Sequence, residues 1–178
     1  MSDATPERDG DASLQVRRRP RAALVGWVLG IVAVAAIVAW VSTHPPALST
    51  STTTVTASTP VSQPVFVGVF TAPADFDRTL HLSGVKIFAT STAGDALITP
   101  HLCRGGSVSV TTDPEAFCSD VVGTEGTTMG AGDEIVLEVS AAAPGTIAID
   151  RIRLAYRDGL RWGTQDAGSP ARVTVIPR

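Results

Sequence analysis

The chain has 178 residues, with 14 basic and 17 acidic side chains and a formal charge of -3. Such a nearly neutral chain does not carry the concentrated basic surface that nucleic-acid binding requires, so we expect no nucleic-acid partner. The length beyond residue 64, about 114 residues, is typical of one compact domain and too short for two domains with separate cores.

Residues 1–21 form a polar N-terminal segment that carries charges of both signs and shows no apolar period. Such a segment buries too little apolar surface to offset the entropy that is lost on ordering. We therefore predict a disordered tail over residues 1–21.

Residues 22–41 form an apolar run without any charged or strongly polar side chain. Twenty residues in an α-helix rise about 30 Å, which matches the hydrocarbon thickness of a bilayer. The run therefore predicts a single transmembrane helix, whose partner is the lipid bilayer.

The arginines next to this run predict its orientation. Arg17, Arg18, Arg19 and Arg21 immediately precede the run, and no lysine or arginine follows it until Arg78. By the positive-inside rule, the N-terminus is cytoplasmic and the rest of the chain lies outside the cell membrane. A cleaved signal peptide is the alternative, but its apolar region is usually only about 7 to 15 residues long and ends in a small-residue cleavage site. Both interpretations place the C-terminal domain outside.

Gly26 and Gly30 form a G-x-x-x-G pair within the predicted span. Small residues at this spacing allow two membrane helices to pack closely, so the pair is a candidate dimerisation face. The alternative is that these residues reflect the general frequency of glycine in such spans.

Residues 42–64 differ sharply in composition, with Ser or Thr at 12 of 23 positions and four prolines. Such a segment has few apolar groups and too much proline for a helix. We therefore predict an extended, solvated stalk that holds the following domain away from the membrane.

Beyond residue 64 the apolar residues recur at every second position, which is typical of β-strands. Several short strands without an amphipathic helix of useful length favour an all-β domain over residues 65–178. We expect an antiparallel immunoglobulin-like β-sandwich of about seven strands, with a small Greek-key barrel as the alternative. The predicted strands are Val65–Phe70, Leu80–Ala89, Ala96–Leu102, Ser107–Thr112, Glu134–Ser140, Ile147–Tyr156 and Arg172–Ile176.

The clearest alternation predicts a hairpin over residues 134–156. On its first strand, Ile135 and its alternate neighbours face the core, whereas Glu134, Val136 and Glu138 face outward. On its second strand the apolar residues change parity, which predicts a bulge or bend near residues 150–151.

After this bend, Arg151, Arg153 and Arg157 share the outward face of the second strand. In a hairpin, Glu134 and Glu138 would lie within cross-strand reach of them. We interpret the arginines as paired charges on a solvated sheet face, and an anionic ligand site is the alternative.

Cys103 and Cys118 are the only cysteines in the chain. In an extracytoplasmic domain two cysteines usually pair, and a bridge that closes this loop would stabilise the fold by about 3 kcal/mol. A zinc site that uses His101 lacks the usual ligand spacing and a fourth ligand. A redox-active pair would need more closely spaced cysteines. We therefore predict a structural disulfide.

Other polar residues do not form a recognisable catalytic or metal-binding pattern. Asp113, Glu115 and Asp120 share one loop but lack the alternating oxygen ligands of a calcium loop. His81 and His101 have no nucleophile in a sequence context that would pair with them, and His81 is expected to face solvent. We therefore expect no catalytic residue, no metal ion and no cofactor.

The segment YRDGLRWGTQ, residues 156–165, is the most distinctive stretch of the predicted domain. It is interpreted as a long hairpin loop, and loops on such scaffolds often carry function. Either Trp162 folds back to cap the domain, or Arg157, Arg161 and Trp162 form a partner-binding tip.

With this segment and the C-terminal strand RVTVIP, the region Leu80–Arg178 resembles uncharacterised membrane-anchored proteins of high-GC bacteria. The resemblance implies an immunoglobulin-like extracytoplasmic domain and implies no known activity. We expect a binding or structural module that docks to another envelope protein. The alternative is an envelope enzyme, or a carrier of a metal or small ligand, that uses His81, His101 or the acidic loop.

Overall fold

The structure, a computed structural model, describes residues 21–43 and 45–178 and the side chains of residues 25–42 and 45–178. The predictions about the tail over residues 1–20, including Arg17, Arg18 and Arg19, therefore lie outside the described residues. The described residues divide into two compact units, one that ends at Val38 and one that spans Ala39–Arg178.

Helix α1, Arg21–Thr43, confirms the predicted apolar helix. Its apolar window, Val25–Ser42, has a mean hydropathy of 2.3, and none of the window is buried. The helix is long and apolar enough to cross a membrane, although a signal sequence would meet the same criteria of length and composition.

Thirteen strands follow α1 in the described part of the chain, instead of about seven. The additional strands are mostly short, and two of the predicted strands are each divided into two. The strands are β1 Val55–Pro60, β2 Val65–Thr71, β3 Leu80–Lys86, β4 Ala89–Ser91, β5 Ala96–Arg104, β6 Val110–Thr111, β7 Asp120–Gly123, β8 Thr128–Met129, β9 Glu134–Ala141, β10 Gly145–Ile149, β11 Ile152–Asp158, β12 Arg161–Ala167 and β13 Ala171–Ile176.

The strands form three sheets, in which β1 and β13 are parallel and all other neighbouring strands are antiparallel. The first sheet has the order β1-β13-β10-β4, and the second has the order β12-β11-β3-β8. The third has the order β6-β2-β9-β5-β7. The fold is therefore mostly β, as predicted.

One apolar core joins the three sheets, because each sheet turns alternate side chains toward it. The first sheet contributes Ile147 and Val173, the second contributes Leu154, and the third contributes Val67 and Leu137. All five side chains have no exposed surface.

The structure corrects the predicted stalk. Part of it is strand β1, which pairs in parallel with β13 through six residue pairs from Val55↔Ala171 to Pro60↔Ile176. Leu48 and Thr59 are buried. The prediction of a stalk was based on the low apolar content of residues 42–64. Strand β1 forms despite this composition, because the neighbouring strand β13 supplies its hydrogen bonds.

The predicted hairpin over residues 134–156 is also wrong. Strand β9 pairs with β2 and β5, whereas β10 pairs with β13 and β4 in another sheet. The predicted bend is confirmed, because the strand is interrupted between Ile149 and Ile152. The apolar parity changes there because the chain passes from the first sheet into the second.

The predicted disulfide is confirmed, with Cys103 and Cys118 joined across 15 positions. Both cysteines pack with Val108 and Val136 in a second, smaller apolar cluster. This cluster lies on the side of β9 opposite the main core, because Val136 alternates with Leu137. Val136 is therefore buried and not solvent-exposed, although it does face away from the main core as predicted. The disulfide loop therefore covers the outer face of the third sheet, and β9 is buried on both faces.

Removing the bridge by Cys103→Ala with Cys118→Ala should lower the free energy of unfolding by about 3 kcal/mol, because a loop of this length is no longer constrained in the unfolded chain. Urea unfolding of the oxidised protein and of the double variant measures the difference. Reduction of the native protein is the matched control. Equal urea midpoints for all three samples would contradict the prediction.

The corrected domain boundary gives a second test. A protein of residues 45–178 should unfold cooperatively, whereas residues 65–178 alone should aggregate or lose the cooperative transition. The shorter chain lacks β1 and so exposes the edge of β13. Circular dichroism melts and size-exclusion chromatography provide the measurement, and identical cooperative transitions for the two proteins would show that β1 is dispensable.

Candidate functional site

A polar cavity of about 390 Å³ lies beside Glu134, at the start of β9. Its walls include the β2 backbone around Val69, where the pairing between β2 and β9 shifts register. Such bulges redirect backbone groups away from the sheet and occur often near binding sites. The lining is rich in hydroxyl groups, with contributions from Ser49, Ser51, Thr71, Ser107, Ser109 and Ser169.

Glu134 is buried, which corrects the prediction that it faces solvent. Its carboxylate accepts hydrogen bonds from the Val108 backbone N–H and from Thr71 Oγ1, the latter at 2.8 Å. Burial raises the pKa of Glu134 above the ordinary value, while hydrogen bonds from Val108, Thr71 and Ser107 act in the opposite direction. The carboxyl group therefore holds the disulfide loop against the sheet, which is a structural role.

Strands β11 and β12 form a tight hairpin, which corrects the prediction of a long loop over residues 156–165. Asp158 pairs with Arg161, so only Gly159 and Leu160 lie in the turn. Gly159 has a φ of +58°, which glycine adopts readily at the first central position of such a turn. Strand β12 was not predicted from the sequence because it contains few apolar residues. It forms nevertheless, because β11 supplies its backbone hydrogen bonds.

The hairpin tip, which we define as residues 157–162, combines exposed apolar groups with two arginines. Leu160 is 88% exposed and Trp162 is 63% exposed, so Trp162 does not cap the domain. Arg157 lies opposite Trp162 across the hairpin, with its guanidinium 5.7 Å from the centre of the indole ring. Arg157, Arg161 and Trp162 therefore lie at one end of the second sheet, with Arg157 and Trp162 on one face of the hairpin and Arg161 on the other.

A shallow groove of about 330 Å³ begins at Trp162. Ser83, Ala155 and Thr164 contribute small side chains to its walls. Trp162 therefore stands beside a depression and leaves one side of its ring accessible.

Strands β1–β13 together form what we call the β domain. Residues 45–51, which we call the arm, connect α1 to this domain and lie along β12. The side-chain amide of Gln165 forms two hydrogen bonds to the arm. Its Oε1 accepts a hydrogen bond from Leu48 N at 2.9 Å, and its Nε2 donates one to Pro45 O at 3.1 Å. A Cβ added at Gly163 would lie 2.7 Å from Pro45 Cγ, so the absence of a side chain there allows this close approach.

Arg78 joins the arm to the base of the hairpin tip. Its Nη1 donates to Pro46 O at 3.2 Å and lies 3.6 Å from Asp158 Oδ2. The same guanidinium lies over the Phe76 ring at 4.8 Å. Burial raises the pKa of Tyr156, and the charge of nearby Arg78 acts in the opposite direction. The arm and the hairpin tip are thus held by a shared set of contacts.

The outward arginines of β11 do not pair with Glu134 or Glu138. Arg153 Nε instead donates to Asp166 Oδ1 at 2.7 Å across the second sheet. This hydrogen bond and charge hold the pKa of Asp166 below its ordinary value. The interpretation as paired surface charge is therefore correct for Arg153, but the partner strand is β12.

The remaining polar candidates are not brought into one site. His81 is exposed on β3, whereas His101 lies on β5 in a different sheet, 3.0 Å from Glu138. Because Cys103 and Cys118 form a disulfide, the zinc alternative is wrong. Across residues 21–43 and 45–178, no group of three or more His, Cys, Asp or Glu side chains is placed to hold a metal ion.

Gly26 and Gly30 lie within α1, where a Cβ at either position would meet no atom within 4 Å. The helix surface at these positions is therefore open within the chain. Dimerisation through this face stays a prediction.

The raised pKa of Glu134 predicts how stability depends on pH. The carboxyl group of Glu134 binds its proton more tightly in the folded protein than in the unfolded chain. Protonation of Glu134 therefore contributes stability that is fully present below the pKa of the unfolded chain and is lost as pH rises through the pKa of the folded protein. Relative to Glu134→Gln, which stays neutral, the native protein should therefore lose stability as pH rises from 4 to 7. Urea unfolding across this range measures the difference.

The exposed Glu125 provides a matched control for the loss of one surface carboxylate. If Glu125→Gln changes the pH dependence as much as Glu134→Gln does, burial of Glu134 is not the cause.

The concave regions of the β domain include the cavity beside Glu134 and the groove beside Trp162, with the exposed hairpin tip next to the latter. No protein-family model matches the chain, and no curated protein is significantly similar to it.

Proposed function

We propose that this protein is a membrane-anchored extracytoplasmic module that docks to another component of the cell envelope through the hairpin tip. The observation that carries this proposal is the exposure of Leu160 and Trp162 beside Arg157 and Arg161. Exposed aromatic and arginine side chains are enriched where proteins bind their partners. A hairpin with a two-residue turn also presents these groups with little conformational freedom.

The membrane anchor and its orientation rest on the sequence and on α1. The apolar window Val25–Ser42 has the length of a membrane span. The arginine cluster before it favours a cytoplasmic N-terminus and an extracytoplasmic β domain. The disulfide supports this compartment, because such bonds persist outside the reducing cytoplasm.

We retain an immunoglobulin-like sandwich as the finer description of the domain. The first two sheets are connected directly by the chain at residues 150–151 and 168–170, and both pack against the core shared with the third sheet. Two packed layers of antiparallel strands are the basis of that architecture.

The alternative of an envelope enzyme or ligand carrier has less support. His81 and His101 lie in different sheets, and Asp113, Glu115 and Asp120 form no metal-binding group with other described residues. In the cavity beside Glu134, the carboxyl oxygens that could bind a small ligand already accept hydrogen bonds from the protein. Docking therefore remains the better supported function.

Site-specific photo-crosslinking in cells tests the proposal. A p-benzoylphenylalanine at position 160 should form adducts with an envelope component, because this side chain projects from the hairpin tip. The matched control is the same residue at position 97, where the native Leu97 is 67% exposed on β5. Equal adduct yields at the two positions would contradict docking through the hairpin tip.

A further inference from the structure

We infer that the component bound by the hairpin tip is the outer surface of the membrane in which α1 is anchored. In this arrangement, Leu160 and Trp162 enter the boundary between headgroups and acyl chains, and Arg157 and Arg161 contact anionic lipid phosphates. The inference rests on the proposed anchoring and docking, and it names the partner of that same site.

The direction of the arm provides the main argument. Pro45 lies against Gly163, Leu48 binds Gln165, and Thr50 forms a parallel bridge with Gly168. The same direction continues where β1 runs parallel to β13. Moving backward along the arm, toward α1, therefore also means moving backward along β12, toward the hairpin tip.

The link between the apolar window of α1 and the arm is short. Only three residue steps separate Ser42, the end of the apolar window, from Pro45, and they span at most about 10 Å. Three residue steps, from the start of β12 into the turn, separate Gly163 from Leu160, which is also about 10 Å. If the window ends at the hydrocarbon boundary, Pro45 lies within about 10 Å of that boundary, which is close enough for the hairpin tip to reach the headgroups.

The side chains at the tip suit this environment. Trp is enriched at membrane interfaces, where its ring is partly apolar and its N–H reaches a polar partner. Leu160 is the most exposed of the large apolar side chains in the β domain. A bilayer interface would remove both apolar groups from water without requiring a shaped partner.

The charges at the tip match an anionic lipid surface. In the part of the chain that the structure describes, no carboxylate lies within ion-pair distance of the Arg157 or Arg161 guanidinium. Asp158, the nearest acidic residue in sequence, is held by Arg78. Two arginines near such a surface are each attracted to it.

Hydrogen bonds hold the arm against β12 and against the base of the hairpin tip. Gln165 binds Pro45 and Leu48, and Arg78 binds Pro46 beside Asp158. A flexible stalk of 23 residues would have allowed any surface of the domain to face the bilayer. With the arm bound along β12, the hairpin tip is the surface favoured to meet the membrane.

Quenching of tryptophan fluorescence by brominated lipids tests the inference in the full chain. Trp27→Phe with Trp40→Phe leaves Trp162 as the single tryptophan of the three. The variant is reconstituted in vesicles of phosphatidylcholine with about one third phosphatidylglycerol. Lipids brominated near the headgroup should reduce the emission of Trp162 about twofold if its ring lies in the interface.

A matched variant moves the probe to the far end of the domain. Leu97→Trp with Trp162→Phe, in the same background, places the indole at a residue that pairs with Ser140 on β9. The neighbouring Ala141 accepts a hydrogen bond from Ser62, just beyond the end of β1 that lies farthest from the arm. This probe should show no quenching. Equal quenching of both probes, or of neither, would overturn the inference.

The arginines are tested separately in the Trp162 background. Arg157→Gln and Arg161→Gln should each lower the ratio of docked to free hairpin about fivefold in anionic vesicles, because each loses its attraction to the lipid phosphates. Arg172→Gln, an exposed arginine on β13, is the control and should leave quenching unchanged. If all three variants behave alike, the tip does not recognise anionic headgroups and the inference is wrong.

The two proposals fail in different ways. Protein adducts at position 160 in cells, together with an unquenched Trp162 in vesicles, would overturn lipid binding and leave docking to an envelope component intact. If position 160 gives neither adducts in cells nor quenching in vesicles, both proposals fail.

Discussion

The parallel alignment of residues 45–60 with residues 163–176 is the constraint on which the rest of this structure depends. It completes the first sheet through β1 and covers the edge of β13. It also fixes where the chain enters the β domain, because the Gln165 side chain binds the arm at two points. Stability and the placement of the hairpin tip therefore have a common origin. A change that weakens the arm would alter both the fold and the surface presented to a partner.

The third sheet shows a different balance of interactions. Strand β9 is buried on both faces, because the main core packs against one side and the disulfide loop covers the other. Burying Glu134 there is unfavourable for its charged form, which is why its pKa is raised. The hydrogen bonds from Val108 N and Thr71 Oγ1 offset part of this cost. The covalent bridge and the buried carboxyl group thus act on the same loop.

The proposed docking through the hairpin tip is based on the side chains that the fold leaves exposed. Most large apolar side chains of the β domain are buried in the core, whereas Leu160 and Trp162 remain in contact with solvent. The short turn fixes their positions, and Arg157 stacks against the Trp162 ring. An exposed apolar pair beside two arginines is suited to an amphipathic surface, which a lipid interface provides. The chain direction favours this partner over one at a distance from the membrane.

The sequence by itself determined the apolar helix, the β character of the domain, the disulfide and the bend near residues 150–151. Each of these depends on local composition, on the alternation of side chains, or on the presence of only two cysteines. Only the tertiary structure decided that residues 55–60 are a strand, that β9 and β10 lie in different sheets, and that Glu134 is buried. These features depend on pairing between segments distant in sequence, and an edge strand such as β1 or β12 obtains its hydrogen bonds from a neighbour and not from an apolar pattern of its own. The same long-range pairing placed the hairpin tip, whose residues the sequence had already singled out, at the end of the domain from which the chain leads to the helix.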